Sequence, residues 1–156
     1  MKIVRLVVAV AIPLIAGFLG SVFTMPSIPT WYAAINKPAW NPPNWIFGPV
    51  WTILFILMGI ALWLIWEKGL DKIQVRTAVN IFSAQLVLNI VWSLLFFGLH
   101  SPFWAFIEII ALWLMILWTI IAFYRLDKTA GLILIPYILW VSFASFLNFT
   151  VMRLNP

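Results

Sequence analysis

The chain has 156 residues, 65% of them hydrophobic and only 8% charged, with a mean hydropathy of +1.12, against roughly 45–50% apolar and about 25% charged in an average soluble domain. That composition excludes a soluble fold, and the net charge of +5 does not signal nucleic acid, because the nine cations stand at the chain ends or between apolar runs. Cysteine is absent, which excludes disulfides, thiolate metal sites and cysteine nucleophiles.

The first apolar run, Ile3 to Thr24, starts like a secretory signal. It exceeds the about 7–15 apolar residues of a signal core, and no small-x-small cleavage site follows, so it is read as a membrane helix. Its Ala16, Gly17, Gly20 and Ser21 have the small-residue spacing that lets helices approach, for packing or dimerisation. Next comes Met25 to Pro43, where Pro26, Pro29, Pro38, Pro42 and Pro43, with Pro49 beyond, fix torsions and make a stiff strap carrying Trp31, Tyr32, Trp40 and Trp45. These aromatics serve either as an interfacial belt or as a lid.

The second run, Asn44 to Trp66, aligns Trp51, Phe55 and Met58 on one face. The third, Thr77 to Gly98, aligns Gln85, Asn89 and Ser93 at i, i+4, i+8. Lipid cannot satisfy such a polar stripe, so it faces the bundle interior, either to join helices at about 0.6 kcal/mol per bond or to meet a ligand carboxylate or amide. His100, Ser101 and Pro102 then make a tight turn, where a lone histidine reads as a loop residue and not as a haem ligand.

The fourth run, Phe103 to Tyr124, holds Glu108, the one acid well inside an apolar stretch. It is read as a partly hydrated structural hydrogen bond, with a proton relay as the rival. The fifth, Leu132 to Met152, puts Tyr137, Trp140, Ala144 and Asn148 on one face, with Ser145 beside it. Runs of about 21–23 residues match a hydrocarbon core of about 30 Å. The expected fold is therefore all-α: a single membrane domain of five transmembrane helices over about residues 3–24, 44–66, 77–98, 103–124 and 132–152.

Five crossings place Lys2, Arg5, Lys68, Lys72, Arg76, Arg125 and Lys128 on one side and Lys37 and Arg153 on the other. The positive-inside rule then makes the N-terminus cytoplasmic. Gly17 to Ser21, Trp51 with Phe55, Asn89 to Ser93 and Ala144 to Asn148 all fall in the outer half beneath the strap. Aromatic walls, convergent amides and a lid describe a pocket for an extended apolar ligand with one or two polar handles. No P-loop, dinucleotide fingerprint, HExxH or partner acid for Glu108 occurs, so hydrolytic, phosphoryl-transfer and metal-dependent mechanisms lack parts, and no cofactor is required. A transporter of tetrapyrroles or other apolar ligands stands as a further alternative, although the absence of repeats, broken mid-membrane helices and paired intramembrane charges argues against ion-coupled pumping.

The segments W-Y-A-A-I-N-K-P-A-W-N-P-P, F-G-P-V-W-T-I-L-F-I-L-M-G, Q-L-V-L-N-I-V-W-S-L-L-F-F and P-Y-I-L-W-V-S-F-A-S-F-L-N resemble the translocator protein family, also called tryptophan-rich sensory proteins or peripheral-type benzodiazepine receptors. The similarity covers essentially the whole chain, and the short termini are those of a bacterial member. It implies a five-helix membrane bundle, often a homodimer, that binds tetrapyrroles such as protoporphyrin IX and, in animal members, cholesterol and isoquinoline carboxamide drugs. It also implies, for some bacterial members, light-dependent oxidative breakdown of protoporphyrin. The two tryptophans implicated there correspond to Trp51 and Trp140, as catalytic residues if the chain is an enzyme. By motif position, Tyr32, Asn89, Trp92 and Ala144 carry over as ligand-binding positions, joined by Phe55, Gln85 and Asn148. The sterol pattern departs at Phe149, where it wants tyrosine, which argues against cholesterol binding.

Overall fold

A computed structural model describes residues 2–156 and contains five helices long and apolar enough to cross a membrane: α1 (Lys2–Tyr32), α2 (Asn44–Trp66), α3 (Ile73–Gly98), α4 (Pro102–Leu126) and α5 (Lys128–Leu154). Among the described residues there is no strand. Within hydrocarbon every backbone N–H and C=O needs a partner inside the chain, and a helix supplies one without a second segment.

The helices outrun the apolar runs. α1 does not stop at Thr24 but continues through Pro26 and Pro29 to Tyr32, its last turn widening to a π-helix over Ile28–Tyr32. Proline lacks a donor and crowds the carbonyl four residues back; the longer i→i+5 ladder absorbs both defects. The strap is thus shorter than the sequence suggests, since its first eight residues from Met25 are helical. α3 begins at Ile73 and not Thr77. α5 begins at Lys128 with a short segment, Lys128–Ile133, set off at Leu134, where Pro136 has no N–H to continue the ladder.

Pro13 also leaves the Ala9 carbonyl without its usual donor, and α2 approaches there. A Cβ on Gly59 would lie 2.9 Å from Ala9 O and closer still to Val10 Cα, so the absence of a side chain sets the α1–α2 distance. The small residues of α1 act within the chain. Gly17 lies flat against the Phe55 ring and Gly20 against Ser93, where an added Cβ would stand 3.2 Å from Oγ.

Around the bundle the order is α1–α2–α5–α4–α3, with α3 returning to α1. α2 meets α5 mainly through Lys128–Ile133, at the end away from the strap. Towards the strap the two helices diverge. The strap-end turn between α3 and α4 is closed by Leu99 N–H donating to Leu94 O (2.7 Å) and Ser101 N–H to Leu95 O (3.0 Å), with His100 in left-handed backbone at φ 53°.

At the opposite end Asp127 joins three elements. Its Oδ1 accepts from Ala130 N–H (3.0 Å), capping α5, and its Oδ2 meets Lys68 Nζ at 2.7 Å. The hydrogen bond from Lys68 and that from Ala130 hold its carboxyl below the ordinary value of 3.8. A depressed folded pKa gives stability that is present above the unfolded pKa and lost as pH falls through the folded one. Detergent-solubilised protein is therefore expected to lose thermal stability as pH drops below about 3.8. Asp127→Asn should be less stable at pH 7 and show a flatter acid limb in a melting series; an acid limb as steep as in the unaltered protein would remove Asp127 as its cause.

Candidate functional site

The divergence of α2 from α5 leaves a cavity of about 520 Å³, walled by α1, α2, α3 and α5 and by no residue of α4. Aromatic rings supply most of the wall. Trp51 stacks on Phe55 (centroids 5.5 Å apart, 28°) and meets Tyr137 edge-on (6.2 Å). From α5, Trp140 contacts Phe47 (6.1 Å) and Phe143 (5.4 Å), and its Nε1 is buried with no hydrogen-bond partner among the described residues. On α3, Trp92 stacks on Phe96 (5.2 Å, 20°).

Of the positions named from sequence, Tyr32, Trp51, Phe55, Asn89, Trp92, Trp140, Ala144 and Asn148 line this cavity. Gln85 does not. It lies one helical turn deeper than Asn89, fully buried, where Oε1 accepts from the Tyr137 hydroxyl (2.8 Å) and Nε2 points at Met58 Sδ (3.9 Å). Tyr137, expected on the same face as Trp140, is likewise sealed beneath the cavity and accepts from Asn89 Nδ2 (3.0 Å). The polar stripe of α3 therefore divides: Gln85 ties helices together, while Asn89 keeps Oδ1 at the wall. Asn148 is engaged at both ends of its amide: Oδ1 accepts from Trp92 Nε1–H (3.0 Å) and Nδ2 donates to Pro102 O (2.8 Å).

The structure adds Phe47 and Phe143 to the wall, at i−4 from Trp51 and i+3 from Trp140, a spacing that could have identified both. Glu108 has both carboxyl oxygens buried, and no protein group among the described residues bonds them.

The strap is clasped over the strap end. Asn36 N–H donates to Asn155 Oδ1 (3.0 Å) and Asn155 Nδ2 returns to Asn36 O (2.9 Å). The Tyr32 hydroxyl donates to Asn41 Oδ1 (2.8 Å), and Trp40 stacks on Phe146 (5.3 Å, 17°). Lys37 Nζ donates to the Tyr32 and Ile35 carbonyls, ending α1. His100 stacks on Trp31 (4.7 Å, 12°). Trp45, 73% exposed, and Phe18, 69% exposed, line the cavity from its rim, so it opens sideways between α1 and α2 and not through the strap.

The profile of the TspO/MBR family matches residues 9–154. The chain is 47% identical to the tryptophan-rich protein TspO of Chlorobaculum tepidum over 155 residues, covering 99% of this chain and 98% of that one. It is 46% identical to the tryptophan-rich protein TspO of Archaeoglobus fulgidus, covering 99% of each, and 34% identical to the human translocator protein, covering 92% and 85%. With its five membrane-length helices, the chain is an integral, multi-pass membrane protein that belongs to the TspO/MBR family.

Proposed function

We propose that the protein is a membrane receptor or sensor for flat, apolar small molecules of the protoporphyrin IX type, including drug-like isoquinoline carboxamides, held between the Trp51 and Trp140 walls beneath the strap. The observation that carries this reading is the cavity itself: about 520 Å³, within the roughly 300–1,000 Å³ of ligand sites, apolar and aromatic with few polar groups. The N-terminus lies in the cytoplasm, which sets the cavity in the outer leaflet; the cation-rich end, with Arg76 and Arg125, supports that orientation. A homodimer is part of the same proposal, with its face elsewhere than at the α1 glycines Gly17 and Gly20, which pack inside the chain.

Dark titration of the purified protein with protoporphyrin should quench tryptophan fluorescence with a saturating curve. Trp51→Ala and Trp140→Ala are each expected to weaken binding about tenfold, in line with about 0.5–1.5 kcal/mol per aromatic pair plus lost buried area. Unchanged affinity in the double variant would take the ligand out of this cavity.

A second reading, oxidative breakdown of the bound porphyrin under light with dioxygen as oxidant, is supported by one observation: indoles from two helices, Trp51 and Trp140, face the same hollow. Illumination should then yield a product set distinct from that of free porphyrin, and Trp51→Phe should abolish it while binding persists.

A further inference from the structure

Charge is gathered at the end of the bundle away from the strap, where Lys2, Arg5, Lys68, Lys72, Arg76, Arg125 and Lys128 meet only Glu67, Asp71 and Asp127 as acids. Two of these acids already hold a cation: Arg5 Nη1 lies 3.5 Å from Glu67 Oε1, and Lys68 Nζ lies 2.7 Å from Asp127 Oδ2. The second pair draws the α2–α3 connection against the α4–α5 turn. On one side of it stand Lys72 and Arg76, at the start of α3; on the other stand Arg125 and Lys128, which flank Asp127. All four are exposed, and none makes an ion pair among the described residues. Asp71, the remaining acid, is turned back over Gly69.

Fold stability does not account for this cluster. Lys72 and Arg76 belong to the first turn of α3 and Lys128 opens α5, the helix end whose free N–H groups disfavour a cation. Like charges gathered without acids also repel one another in the folded chain, and an external anion relieves both effects. The apolar neighbours show where that anion lies. Leu70 (47% exposed) and Ile73 (62%) flank Lys72, and Tyr124 (44%) precedes Arg125. Lys and Arg side chains extend towards the phosphate level while their stems and apolar neighbours stay against hydrocarbon, and a tyrosine at the edge of a span marks the same interface. A soluble anion or a nucleic acid meets the cations but leaves Leu70 and Ile73 in water. The strap end has no such cluster: Lys37 is held by the Tyr32 and Ile35 carbonyls, and Arg153 is the only other Lys or Arg there.

We propose that this end of the bundle is a docking surface for acidic phospholipids: Lys72, Arg76, Arg125 and Lys128 hold the phosphates of anionic headgroups in the adjoining leaflet, with acyl chains against Leu70, Ile73 and Tyr124. The ligand is a phosphodiester of net negative charge, of the phosphatidylglycerol type. A zwitterionic lipid carries its own ammonium beside the phosphate and gains less. The attraction acts at a hydrated interface, so it fades as the screening length falls from about 10 Å at 0.1 M salt to about 3 Å at 1 M. It is independent of what the cavity holds, since none of the four cations lines it.

The test reconstitutes the full chain in phosphatidylcholine vesicles with a trace of phosphatidylglycerol or phosphatidylcholine spin-labelled near the end of one acyl chain. Electron paramagnetic resonance reads the fraction of each lipid immobilised at the protein surface. In low salt, phosphatidylglycerol is expected to be enriched roughly threefold or more over phosphatidylcholine, and in about 1 M NaCl the two should be nearly equal. Lys72→Gln with Arg76→Gln, and Arg125→Gln with Lys128→Gln, should each lower the enrichment. Lys72→Arg with Lys128→Arg should keep it, as should Arg153→Gln at the strap end. Size-exclusion profile and melting temperature establish that each variant is folded, and the charge-preserving pair controls for local packing. Equal immobilisation of the two lipids by the unaltered protein, or an enrichment that survives high salt or both neutralised pairs, would overturn the proposal. Sodium phosphate should displace the lipid no better than NaCl of equal ionic strength; stronger displacement would assign the cluster to free phosphate and overturn the lipid surface.

Discussion

Gly59→Leu is expected to prevent recovery of a folded bundle, with the folded fraction lost from size-exclusion chromatography in detergent. Overpacking usually costs about 1–3 kcal/mol because neighbouring side chains can shift. At Gly59 the obstruction is backbone: Val10 Cα and Ala9 O already occupy the space a Cβ would need, and they sit on a helix whose local path is set by Pro13. Relief requires α1 and α2 to separate along the core formed by Leu54, Met58, Leu62 and Ala9, so a loss above about 3 kcal/mol is expected, a large part of a typical stability. Gly48→Ala provides the contrast. No atom lies within 4 Å of the added Cβ there, and replacing glycine inside a helix gains up to about 1 kcal/mol. Equal melting temperatures for the two variants would show that α1 and α2 are not held by this contact.

Ala144→Trp is expected to reduce porphyrin affinity at least a hundredfold without unfolding the protein. Ala144 lies one turn beyond Trp140 on the face of α5 that borders the cavity. An indole there fills the hollow with atoms that are already part of the chain. The melting temperature should hold or rise, because added apolar contacts replace empty space. Retained affinity, measured by the same fluorescence titration, would mean that the macrocycle never occupies the space beside α5.

Much of this architecture can be read directly from residues. Five apolar runs with cations only at their edges permit few arrangements other than five crossings, since hydrocarbon leaves no other way to satisfy the backbone. Helix ends are harder to read. Pro26 and Pro29 would end a helix in water, whereas here a π turn carries α1 to Tyr32. Among the site residues, spacing gives direction but not depth. Gln85 and Asn89 share a face at i and i+4, yet one turn of rise takes Gln85 below the floor, where the Tyr137 hydroxyl meets it. Only the reach of the Tyr137 side chain from α5 across to α3 decides that. The rim was not legible at all, because whether Phe18 and Trp45 face lipid or protein depends on how far α1 and α2 separate.

Where the ligand sits is tested most directly by determining the structure of the protein bound to protoporphyrin. The macrocycle is expected between Trp51 and Trp140, under Trp92 and within hydrogen-bonding reach of Asn89 Oδ1, its carboxyl groups at the α1–α2 rim. A macrocycle lodged instead in the lipid-facing groove of Val50, Ile53, Leu57 and Leu139, with the cavity unfilled, would contradict it.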